Sequence, residues 1–244
     1  MARTLVAQVR GNAAVFNGSN GNGIQRSIVA DGNTGDYTAS AWIYISVVPS
    51  GKVTLIKNGQ TGNGNGGWNF VLNASSQLEV NDPGGVWGGS GTTVLSTLTW
   101  YHVAFIRTGT NTQMYLNGVA EGAVITGTFN SPQVDTTVGC THNTTSNTYT
   151  NVFNGYIDDA RIYTRALSTA ELLQIYGNNP QNNPSTSNLV LWYKFDETTG
   201  ATTVVDSSVA GNTGTIQGTV TFITGTVWIT NIPARTVAGT RTLA

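Results

Sequence analysis

A chain of 244 residues in which only 9% carry charge, with a net charge of −1, must hold itself in water with Asn, Thr, Ser and Gly rather than with ions. That balance offers no electrostatic footprint for nucleic acid and none for an anionic membrane, and no apolar run is long enough to insert into one. Cys140 is the single cysteine, so no internal disulfide forms and a zinc site has no basis; it reads as a small buried hydrophobe.

The opening MARTLVAQVRG breaks its apolar run at Gln8 and Arg10 and does not read as a secretory leader; residues 1–12 are expected to be an N-terminal arm. Residues 13–16 read as a strand and 24–30 as another, with a core strand over 39–45 centred on Trp42. Residues 52–57 alternate and end at Asn58-Gly59, an expected hairpin turn. Residues 59–67 form a Gly/Asn loop, 68–72 and 77–80 a pair of strands, and 82–92 a second glycine-rich loop that carries Trp87. From Trp100 a hairpin follows, in which Val103, Phe105 and Arg107 alternate with His102, Ala104 and Ile106 before the turn at Asn117-Gly118. Residues 119–125 and 136–140 are short strands, and HNTTSNTYTN is a polar loop.

The strand after Phe153 is long, with β-favouring bulk at Tyr156, Ile157, Ile162 and Tyr163. A helix opens on a capping box of Ser168 and Glu171, flanked by Leu167 and Leu172 at staple spacing, with Gly177 as the residue past its end. Residues 178–187 are a linker by composition. Leu189, Leu191, Tyr193 and Phe195 then alternate with Val190, Trp192 and Lys194, a strand that needs a sheet to join.

Three blocks carry a resemblance. F-x-G-x-I-D-D-x-R-I-Y-x-R-A-L-S-x-x-E-L from Phe153 resembles the closing strand and helix of laminin-G-like and pentraxin-like domains of the concanavalin A-like lectin/glucanase superfamily. W-Y-H-V-A-F-x-R with x-Y-L-N-G from Trp100 resembles their central hairpin. Residues 188–218 resemble the segment that normally opens the family, L-V-x-x-Y-x-F-D-E, here displaced towards the C-terminus. The resemblance implies an all-β fold, a two-sheet jelly-roll β-sandwich with one short helix and a circular-permutation-like C-terminal strand. Residues 13–177 are its main part, 188–225 complete it, and 226–244 are a C-terminal arm.

Glucanases on this fold set carboxylates at alternate strand positions, but the E-x-D-x-x-E signature is absent, and Glu79 and Asp82, three apart, point to opposite faces. No Ser–His–Asp set is legible, so the expectation is a protein that is not an enzyme. The resemblance also implies a structural calcium where closing strand meets opening segment, held by Asp158 or Asp159 with Asp196, Glu197 or Asp206. The plainer alternative pairs one of the two adjacent aspartates with Arg161 or Arg107 and solvates the other. For a ligand, Trp87 is the candidate platform, with Asn65, Asp82, Asn143 and Tyr149 as companions, while Trp68 is assigned to the core. The functional expectation is a non-enzymatic structural or decoration protein of a phage virion, capsid or tail, contacting other subunits through its N- and C-terminal arms. The alternative is a carbohydrate- or receptor-binding module, extracellular or at a cell surface, that touches a glycan.

Overall fold

The computed structural model describes residues 8–10, 12–27, 35–59, 67–82, 88–128, 135–177, 184–223 and 227–229. In chain order the strands are β1 (Gln8–Arg10), β2 (Ala13–Asn17), β3 (Gly23–Ser27), β4 (Tyr37–Ile45), β5 (Val53–Gly59), β6 (Gly67–Leu72) and β7 (Leu78–Asn81). They continue as β8 (Gly88–Ser90), β9 (Trp100–Thr108), β10 (Asn111–Leu116), β11 (Val119–Thr126), β12 (Asp135–Val138), β13 (Thr141–Asn143), β14 (Thr148–Thr150) and β15 (Asn154–Tyr163). Helix α1 (Thr169–Gly177) precedes β16 (Leu189–Tyr193), β17 (Thr203–Val204), β18 (Gly214–Gln217), β19 (Thr221–Ile223) and β20 (Val227–Ile229).

Two eight-stranded antiparallel sheets form a sandwich. The first runs β11-β10-β9-β4-β15-β2-β19, with β16 also on β15; the second runs β17-β18-β3-β12-β5-β6-β7-β8. Alternation aims Phe16, Ile43, Phe105 and Ile157 from the first sheet at Ile24, Ile56, Trp68, Phe70 and Val80 from the second. Trp68 and Phe70 meet the Phe105 ring edge-on, with centroids 4.9 and 5.5 Å away.

Strand β15 divides one edge between two partners. Its first half pairs with β2 through Ile157↔Ala14 and its second half with β16 from Ala160↔Tyr193. The break falls at Asp158–Asp159, where the register to β4 also slips and Asp159 takes φ +52°. The C-terminal segment thus contributes to both sheets: β16 beside β15 and β19 beside β2 in one, β18 beside β3 in the other. Beyond it, β20 pairs with β1 through Val9↔Trp228, joining the two expected arms to each other.

Helix α1 lies on the outer face of the first sheet, where Leu172 and Ile175 pack with Ala104, Ile106, Tyr163 and Leu189. Its start is the expected capping box: the Ser168 N–H donates to Glu171 Oε2 at 2.8 Å and the Glu171 N–H to Ser168 Oγ at 3.2 Å. The helix rests on the β10–β11 turn, where Asn117 (φ +50°) and Gly118 (φ +75°) form the primed turn of a tight hairpin. A Cβ on Gly118 would stand 2.6 Å from Leu173 Cδ2.

The sequence reading needs four corrections. Asn58-Gly59 is strand rather than turn, because β5 carries a bulge between Thr54 and Ile56 and its pairing with β6 runs on to Gly59↔Gly67. The glycine-rich stretch after Asp82 contains strand β8, whose small residues let it approach β7 closely. The polar loop HNTTSNTYTN is the β13–β14 hairpin. Gly177 is the last helical residue rather than the one beyond it.

Candidate functional site

One register line of the second sheet, Ile24, Val138, Ile56, Phe70 and Val80, faces the core. The neighbouring line therefore faces away from it, and that line is polar throughout: Gln25, Thr137, Lys57, Asn69 and Asn81. Glu79, two residues before Asn81, shares this outer face. Its Oε1 accepts from Lys52 Nζ at 2.6 Å and from Asn81 Nδ2 at 2.5 Å. Asn81 Oδ1 in turn accepts from Asn69 Nδ2 at 3.2 Å. Lys52, Glu79, Asn81 and Asn69 thus form one chain of polar groups across three strands, and it ends on Asn69 Oδ1, an acceptor with no hydrogen-bond partner.

The β13–β14 hairpin folds back over the same face. Its reversal is set by Gly139 at φ +76°, where a Cβ would run into the Phe16 ring. Thr137 Oγ1 donates to the Cys140 carbonyl at 2.6 Å, and the Thr54 and Thr141 hydroxyls bond across strands at 2.7 Å. Beneath the hairpin the Lys57 side chain is 0% exposed, with Nζ 3.4 Å from Asp135 Oδ1 and donating to the His142 carbonyl at 3.2 Å. Burial pulls the Lys57 ammonium below its ordinary pKa, and Asp135 pushes partly back. Asp135 Oδ2 lies 2.5 Å from His142 Nδ1, and His142 Nε2 lies 3.0 Å from Asn147 Oδ1. The Tyr149 ring stacks on the imidazole with centroids 4.5 Å apart. Burial pushes the Cys140 thiol up to about 12.

The registers also fix which strand ends meet. Strands β3, β5 and β7 end, and β6, β8 and β12 begin, at one end of this sheet, since Ser27 faces Asp135, Gly59 faces Gly67 and Asn81 faces Gly88.

Of the expected ligand residues, Asn143 and Tyr149 sit on the hairpin. Asn143 Oδ1 accepts from the Thr145 and Ser146 N–H groups at 3.0 and 3.1 Å, so it shapes the turn. Asp82 is buried at the end of β7. Trp87 and Asn65 lie outside the described residues, and Trp68 is core as expected. The sequence reading missed Lys57, Asn69, Glu79, Asn81, Asp135 and His142 as a group. Polar residues two apart, as at Glu79 and Asn81, were the available signal.

Among the carboxylates expected to bind calcium, Asp159 and Asp206 are each bonded to several protein donors. Asp159 accepts from Arg161 Nε at 2.8 Å, Arg161 Nη2 at 3.2 Å and Trp192 Nε1 at 2.6 Å. Asp206 accepts from the Trp192, Ser208 and Asn212 N–H groups and the Ser208 hydroxyl, all within 2.6–2.9 Å. Glu197 accepts from the Val205 N–H at 2.8 Å, and Asp196 is exposed. The Asp159 and Asp206 oxygens are thus taken up by protein donors, whereas Glu197 Oε2 is buried without a hydrogen-bond partner. Among the described residues no three His, Cys, Asp or Glu side chains gather as a metal site. The pairing with Arg161 is made by Asp159, whereas Asp158 is buried rather than solvated.

A family model of the concanavalin A-like lectin/glucanases superfamily, of laminin G type, matches residues 17–173. No curated protein matches the chain in sequence. A candidate carbohydrate binding protein from Bacteroides ovatus ATCC 8483 superposes with a TM-score of 0.64 at 18% identity, over 89% of this chain and 60% of its own. This chain therefore spans about 60% of that protein's length. The heptameric SAP-like pentraxin of Limulus polyphemus gives 0.54 at 12% identity, over 90% of this chain and 94% of its own. The CBM40 of Ruminococcus gnavus IT-sialidase, in a structure bound to α2,3 sialyllactose, gives 0.53 at 14% identity, over 67% and 97%. Likeness at such identities is one of fold.

Proposed function

The chain belongs to the concanavalin A-like lectin/glucanases superfamily, and from that premise we propose that it is a carbohydrate-binding module whose ligand lies on the polar outer face of the second sheet. The carrying observation is the chain Lys52–Glu79–Asn81–Asn69, which ends on a buried amide oxygen without a partner. Sugar hydroxyls both donate and accept, and amide and carboxylate side chains fixed in a row answer both roles. Stacked His142 and Tyr149 stand beside the row on the hairpin. Solved neighbours described as carbohydrate binding support the same reading, at an extracellular or cell-surface location. Binding rather than hydrolysis is supported by the missing glucanase signature.

The expectation of a virion protein draws no support from the family or from the structural neighbours, and carbohydrate binding takes its place. Screening the protein on a glycan array, then titrating the best ligand into Asn69→Ala and Asn81→Ala, tests the reading. Each variant should bind about tenfold more weakly, a loss of ~1.4 kcal/mol, and Asn81→Ala, which also breaks buried hydrogen bonds to Glu79 and Asn69, should in addition lose ~1–3 kcal/mol of stability. An array with no bound glycan, or variants that bind like the parent, removes the proposal.

A further inference from the structure

We infer that the ligand carries an N-acetylated amino sugar, whose acetamido group enters a cavity at the Lys52 end of the sandwich; the inference rests on the carbohydrate-binding reading above. The cavity measures about 160 Å³ and lies where Gly18, residues 47–50, the start of β5 and the start of β15 meet. Val47, Val48, Val53 and Phe153 give it apolar walls, Ser50 and Asn154 add polar groups, and none of its lining residues is charged. Backbone bonds tie these segments together. The Gly18 N–H donates to the Phe153 carbonyl at 3.1 Å, the Ser46 N–H to the Asn154 carbonyl at 3.0 Å, and the Thr54 N–H to the Asn151 carbonyl at 2.9 Å. The hollow is therefore built into the fold, and a ligand does not have to order it.

Two features call for an occupant. Val47 and Val48 follow one another at its edge and stay 55% and 59% exposed. The half-buried Asn154 side-chain amide bonds to no described residue, which leaves a donor and an acceptor in the same place. The volume is below the ~300–1,000 Å³ that encloses a whole drug-sized ligand, so the cavity admits a substituent rather than a chain of rings. An acetamido group has three parts that answer these walls: a methyl for the valines, and an N–H and a carbonyl for the Asn154 amide. A hydroxyl in its place leaves the valines uncovered, and an ammonium loses water without meeting a carboxylate in the lining. Ser50 and Val53 bracket Lys52, the first member of the polar row, so the cavity adjoins that end of the row.

The test uses the whole chain and one glycan in three forms: oligosaccharides of N-acetylglucosamine, and the same chains with a free amine or a hydroxyl at that carbon. A matching galactose-type series runs beside it. The acetylated form of at least one series should bind at least about tenfold more tightly than its two counterparts. In ligand-observed NMR, saturation should pass from the protein most strongly to the acetyl methyl. Val48→Asp and Asn154→Ala should each bring the three forms to within about twofold of one another. Val48→Asp should melt like the parent, because that side chain is exposed. An acetyl-lysine peptide, which offers the acetamido group without a sugar, should bind at least about tenfold more weakly than the acetylated glycan. Equal binding of the three forms, a preference that survives both substitutions, a tighter-bound peptide, or an array whose bound glycans all lack N-acetyl groups overturns the inference alone. An array with no bound glycan overturns carbohydrate binding itself, and the inference with it.

Discussion

Lys57 carries an ammonium group to a place that water does not reach, and its neighbours are built around that fact. Replacing it with Met leaves Asp135 buried beside the imidazole without its cation, which should cost ~3–5 kcal/mol in chemical denaturation. Adding Asp135→Asn should recover part of the loss. The folded protein gives up the Lys57 proton at lower pH than the unfolded chain does. Through that group, stability rises with pH from the lowered value up to the ordinary 10.5. Cys140 acts the other way: its thiol stays protonated to about 12 when folded against 9.0 otherwise, so its share of stability is lost as pH climbs through that window. A thiol so placed should ignore an aromatic disulfide reagent until the protein is unfolded. Labelling of Cys140 under native conditions at pH 8 would contradict its burial. Little of this was legible from residue types. The polarity of Lys57 pointed to a strand end, and only the bulge in β5 shows why the strand runs on beneath a hairpin.

Helix α1 shows the opposite case, a short element whose start was written in four residues. Local chemistry was sufficient there because Ser168 and Glu171 satisfy each other's backbone N–H groups without help from distant chain. Arg165 adds a fork onto Glu171 and, as the leading influence, holds that carboxyl down to about 2. The stabilisation is full above the ordinary 4.5 and lost as pH falls towards 2. Glu171→Ala should therefore cost ~1 kcal/mol at neutral pH, and the gap to the parent should close on acidification, as followed by thermal melting at several pH values. The β13–β14 hairpin was illegible because it buries hydroxyls and imidazole against a polar sheet face and so shows no apolar alternation. Its reversal depends on Gly139, and Gly139→Ala should lose ~2–5 kcal/mol from left-handed strain and the Phe16 clash together. A variant as stable as the parent would show that the hairpin is held by other means.

For the molecule as a whole, the resemblance read from the hairpin and closing-strand blocks was enough to give the sandwich, because those blocks form the central strands of the first sheet. The polar face was not, since it arises from register between strands distant in sequence. Calcium belongs to the same scale: EDTA should leave the melting temperature unchanged, and a fall restored by Ca²⁺ would show a site beyond the described carboxylates. Truncation after Ile223 removes β20 and leaves both sheets, so melting should shift by no more than about 4 °C; truncation after Gly177 takes strands from both and should prevent folding. The divided edge of β15 also governs how the protein can be made. While the chain is on the ribosome, β15 emerges with the seat for β16 empty, and one edge of β2 waits for β19, whose Thr221 comes 206 positions (221 − 15) after its partner Val15. From Tyr163 to Ile223 is 60 residues (223 − 163), ~3–12 s of synthesis, during which both sheets stand open at their margins. A nascent chain therefore keeps both sheets unfinished until its final quarter arrives, and tethering then favours its own strand over a neighbour's.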